Sequence, residues 1–188
     1  MRVRAKIEGL DKVMANLNAE IADIKDASLR GLVYAALEIS VDAKKLTPVV
    51  TGNLRNSVFV TSPSKVEEGF RPEFKDGPPG EYQRPNHAAQ LLSEHATSLA
   101  NNIAECKSHG TEVHVGYSAF YAPIVHENPR AGQTGGVSPS GYVYPEGTYS
   151  TVGQWKFLQA AIQDNMGKLL SLIATFAGKS RHNRGKRR

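Results

Sequence analysis

The chain has 188 residues, 40% of them hydrophobic, with 17 glycines and 10 prolines, a balance that fits one domain with sizeable loops. Its formal net charge is +5, yet six of the 23 basic residues fall in 179–188, leaving 17 against 18 acidic residues in 1–178. The basicity is therefore a tail, which excludes a domain-wide basic face for nucleic acid. A single cysteine, Cys106, excludes an intrachain disulfide framework and suits a reducing compartment. The opening MRVRAKIEGLDK has no apolar secretory core, and the longest apolar run, Leu169–Ala177, is too short to span a bilayer. The expectation is a soluble protein made in the cytoplasm.

Val3, Ala5 and Ile7 alternate with Arg2, Arg4 and Lys6, which predicts a short strand at a sheet edge. Leu10, Val13, Met14, Leu17, Ile21 and Ile24 then recur at spacings of three and four, the mark of one helical face. Asp26 and Ser28 are candidate caps for a second helical segment, whose stripe runs from Leu29 to Leu46 until Pro48 stops it. Thr51-Gly52-Asn53 reads as a turn, and Leu54–Ser62 as a strand. The Pro- and Gly-rich stretch 65–84 shows no period and reads as a loop. From Asn86 a helix is predicted with Ala88, Leu92, His95, Leu99, Ile103 and Cys106 on its inner stripe.

The stretch Glu112–Glu127 organises the second half. Val113 and Val115 alternate with polar neighbours as a half-buried strand, Gly116 offers a turn, and Phe120-Tyr121 makes an aromatic corner. Ala122 to Val125 reads as a strand exit leading to His126-Glu127. The following 128–153 is rich in turn-forming residues and carries Tyr142, Tyr144 and Tyr149, a composition suited to an assembly interface. From Gln154 to Phe176 a broad apolar helical face returns, and Gly178 is the expected break before a flexible tail.

Chemistry finds little footing in these elements. Gly178-Lys179-Ser180 resembles the end of a phosphate loop, but Ile173 stands where that loop needs glycine. Ser138 lacks the glycine and the strand–helix context of a nucleophile elbow. Cys106, His109 and His114 offer three metal ligands without a fourth, and His126-Glu127 reads as a hydrogen-bonded pair holding the start of the loop rather than as an acid–base pair. No catalytic residue, metal or cofactor is assigned. Lys179, Arg181, Arg184, Lys186, Arg187 and Arg188 are the candidate contacts for a polyanion or an acidic protein surface.

Three segments carry a resemblance. Thr47-Pro48-x-x-Thr51-Gly52-x-Leu54-Arg55-x-Ser57, then Gly116 followed by Tyr121-Ala122-x-x-Val125-His126-Glu127, then Gly153-Gln154-x-Lys156-Phe157-Leu158, resemble in order and spacing the tailed-bacteriophage morphogenesis proteins called minor capsid, head–tail connector or tail-completion proteins. The resemblance implies an α+β fold, with a small curved, mainly antiparallel sheet packed by long N-terminal and C-terminal helices. On this basis residues 1–178 form one domain, with an excursion at 65–110 that holds an extra helix, a long loop at 128–153, and a flexible basic tail at 179–188. It also implies a non-enzymatic virion protein, assembled in the host cytoplasm into a hexameric or dodecameric homo-oligomeric ring at the head–tail junction. The implied partners are other neck, portal-side or tail-tube proteins, with the passing DNA a further contact and no membrane. Gly52, Leu54, Arg55, Tyr121, Ala122, His126 and Glu127 are then scaffold. The competing expectation is a nucleic-acid-binding protein anchored by its basic C-terminus.

Overall fold

The computed structural model describes residues 10–49, 51–76, 86–129, 131 and 153–185, with 177–185 given by backbone alone. The expected strand at 3–7 lies outside these residues, as do Tyr142, Tyr144, Tyr149, Lys186, Arg187 and Arg188. The architecture is α+β: two long helices beside a small, open, three-stranded antiparallel sheet. In chain order the elements are α1 (Leu10–Leu46), α2 (Asn53–Asn56), β1 (Val58–Thr61), β2 (Val66–Glu68), α3 (His87–His109), β3 (His114–Tyr117), α4 (Ala122–His126) and α5 (Phe157–Gly185). Among the described residues, no helix is long and apolar enough to cross a membrane.

Strand β1 is central, in the order β2-β1-β3, and all four of its residues are buried. It pairs with β3 in the register Val58↔Tyr117, Phe59↔Gly116, Val60↔Val115 and Thr61↔His114. Against β2 the register shifts between Val60 and Thr61. Gly116 is thus a strand position and not a turn. The Phe59 ring lies over it, and a Cβ there would sit 2.9 Å from the ring tip.

Helix α1 is continuous where two segments were expected. Asp26 is exposed and Ser28 half-buried, so neither forces an end, and a polar residue inside a helix costs only about 0.5 kcal/mol. Helix α5 runs antiparallel to it: Ala43 packs with Ala161, whereas Gly31 meets Ile173. A Cβ at Gly31 would lie 2.9 Å from the Ile173 Cα, so the glycine permits the close approach. Buried Asn165 fixes the alignment, donating from Nδ2 to Asp42 Oδ2 at 2.8 Å and to the Ala161 carbonyl at 2.9 Å. Ser40 and Lys44 of α1 bind the Glu68 carboxylate and so tie the helix to β2.

Four expectations need correction. Residues 53–56 are helical, not strand, because the Asn53 side chain pairs with the Lys75 backbone, donating at 2.6 Å and accepting at 2.8 Å. The stretch 65–84 contains β2, made possible by the turn through Gly69 at φ +82°. Residues 122–126 form a helical turn, with Pro123 in its first turn where the missing N–H is no loss. Finally, α5 continues through Gly178 to Gly185, so Lys179, Arg181 and Arg184 stand on a helix rather than a flexible tail. A mid-helix glycine costs only about 1 kcal/mol, and basic residues favour a helix C-terminus.

Candidate functional site

The described residues of the three resembling segments, far apart in sequence, meet at one junction where α1, α2, α4 and α5 converge. Thr47 closes α1: its hydroxyl donates to the Ala43 carbonyl at 2.6 Å and lies 2.7 Å from the Tyr117 hydroxyl, which donates to it. Burial pushes the Tyr117 phenol up to about 12, so it stays a neutral donor. Gly153 lies over Pro48, where a Cβ would stand 2.5 Å from the Pro48 Cα, and its φ of +123° also requires glycine. The next residue, Gln154, donates its N–H to the Leu46 carbonyl at 2.9 Å, satisfying an open end of α1.

Gly52 enters α2 at φ +87°, and its carbonyl accepts the Asn56 N–H at 2.9 Å. That turn buries Leu54 with Leu91, Ala119, Ala122 and Phe157, while Tyr121 and Val125 pack around them. Burial also pushes the Tyr121 phenol up to about 12. Arg55 reaches back to the Thr47 carbonyl at 3.4 Å. On the far side the His126 carbonyl accepts the Lys156 N–H at 2.7 Å, and the His126 ring meets Phe157 edge-on at 4.9 Å. His126 Nδ1–H donates to Glu127 Oε1 at 2.8 Å, and Lys156 Nζ stands 3.9 Å from the same carboxylate. All seven scaffold residues therefore belong to this junction. Two buried nitrogens in it, Arg55 Nε and His126 Nε2, have no hydrogen-bond partner among the described residues.

The ligand candidates separate. Cys106 is fully buried on α3, with its sulfur 3.7 Å from the Thr61 carbonyl, whereas the His109 side chain is more than half exposed. His114 donates from Nδ1 to Asn102 Oδ1 at 2.8 Å. Among the described residues no group of three or more His, Cys, Asp or Glu side chains is placed to hold a metal ion.

Two features escaped the sequence reading. One is the Asn53 clamp, reinforced by Asn56 Nδ2 donating to the Glu73 carbonyl at 2.6 Å. The other is His95, expected only as a core neighbour. It is 1% exposed, donates from Nε2 to the Gly69 carbonyl, and accepts the Ser118 hydroxyl at Nδ1 over 2.5 Å. Burial holds its pKa below 6.5, partly offset by the Gly69 hydrogen bond. With Ser118 itself 8% exposed, the pair works as a tie between α3, β3 and the turn after β2. Two asparagines three apart after a Thr-Gly turn were the available signal for the clamp, but their partners lie about twenty residues away.

No family model matches the chain, and no curated protein or solved structure matches it either.

Proposed function

We propose that this chain is a structural subunit of a tailed-phage particle that assembles with copies of itself into a ring at the head–tail junction, around the DNA path. One observation carries the reading. The three segments that resemble the morphogenesis family are the ones that lock the ends of α1, α2, α4 and α5 together, with Gly153 on Pro48, Lys156 on His126 and Arg55 on Thr47. A motif set that serves the fold is what a scaffold family would share, since its members recognise different neighbours through loops and termini. Exposed Phe120, Ile124 and Trp155 around the junction supply apolar surface for such neighbours.

Electron microscopy of assembled particles carrying a tagged copy tests this directly. A ring of density at the neck or at the head-proximal end of the tail tube is the expected result. Tagged protein absent from purified particles, together with tight salt-sensitive binding to DNA, would replace the reading with the nucleic-acid-binding one.

A further inference from the structure

We infer that the free half of α1 docks against the same surface of a second copy of this chain, the two helix ends lying antiparallel. Val13, Met14, Leu17 and Ile21 are 62%, 49%, 52% and 44% exposed, although they repeat at helical spacing on one face. The same face continues, turn by turn, into Gly31, Ala35 and Ile39, where α5 covers it. A face built to receive a helix is thus left half covered. The antiparallel register that places Gly31 on Ile173 puts Gly185 about level with Ala19, so the described part of α5 stops short of Met14 and Leu17.

Charge selects the occupant. Residues 11–26 of α1 hold Asp11, Glu20, Asp23 and Asp26 against Lys12 and Lys25, whereas 177–185 of α5 hold Lys179, Arg181 and Arg184 and no acid. When two copies meet tip to tip, each acidic α1 end runs alongside the other's apolar stripe toward the basic terminus of its α5. One chain therefore offers both the apolar stripe and the complementary charge, and an isologous pair uses each twice. Four apolar side chains per copy fall short of the ~1,200 Å² of a self-sufficient interface. The contact is accordingly weak and concentration-dependent by itself, and it stands whether or not the chain also forms a ring.

Sedimentation of the purified full chain across a concentration series tests it, comparing wild type with Met14→Glu/Leu17→Glu and with Leu170→Glu, an exposed apolar site elsewhere. Wild type should associate in even-numbered species, more weakly as salt rises. The double variant should halve the mass, from dimer to monomer or from paired rings to single rings, with association weakened about a hundredfold. Leu170→Glu should match wild type. If the double variant misfolds by circular dichroism, Leu17→Gln alone gives the same reading. Wild type that stays monomeric at about 100 μM overturns the proposal. So does association that the double variant leaves intact, or that Leu170→Glu abolishes. A wild-type monomer whose 11–20 amides exchange slowly would assign the cover to the chain's own leading residues and would equally overturn it.

Discussion

Gly153 illustrates how one atom can decide the junction. Its missing Cβ leaves room for Pro48, and its positive φ is one that other residues adopt only under strain. Gly153→Ala should cost about 2–4 kcal/mol, read as a lower urea midpoint with unchanged slope. His95 works through its proton instead. Its folded pKa is held below the unfolded 6.5, so the unfolded chain binds the proton first as pH falls. The His95 contribution is intact above about pH 6.5, declines as pH falls below that value, and levels off beneath the folded pKa. His95→Gln should lower stability at neutral pH and flatten the dependence just below pH 6.5, as thermal melts across the series would show. A variant with the same slope as wild type would assign that dependence to other groups.

Helix α1 sets the pattern at the scale of the element. Gly31→Val would press into the Ile173 backbone and should destabilise the protein by about 1–3 kcal/mol, measured by denaturant melts, with the α1–α5 pair loosened first. The sequence carried the helical faces well: α1, α3 and α5 each show their three-and-four spacing, and Val58, Val60, Val113 and Val115 marked the sheet. What escaped was set by contacts distant in sequence. Leu92 was expected inside α3, but it is 51% exposed while Leu91 is buried, because Leu54 and Phe157 stand beside the latter. Gly178 looks like a helix stop, yet a glycine ends a helix only when its backbone turns left-handed, as Gly110 does at φ +77°. The candidate site was legible as three motifs, but not as one place. Nothing local in Thr47, His126 or Gly153 says that they share a junction.

For the whole molecule, the extra charge sits at one end. Lys179, Arg181 and Arg184 stand on the last described turns of α5, so they move as a unit with the helix that carries them. If duplex DNA contacts this end, replacing all three with Gln should make the log–log salt slope of binding shallower by about 3. Fluorescence anisotropy over a salt series measures it. A slope unchanged by the three substitutions would mean that DNA contacts lie elsewhere or that this end faces protein.

The antiparallel pairing of α1 with α5 also has a cost in time. Ala27, Ala35, Ile39 and Ala43 wait for a partner helix that starts only at Phe157. At ~5–20 residues per second, a ribosome takes roughly 5–20 s to make the intervening stretch, and longer before α5 clears the exit tunnel. Throughout that interval the nascent chain displays the inner face of α1 bare. Site-specific photocrosslinkers at Ala35 or Ile39 on stalled chains should therefore capture chaperones until the stall point passes the end of α5. Virion subunits made in bulk during infection would then draw on the host's folding machinery in proportion to that delay.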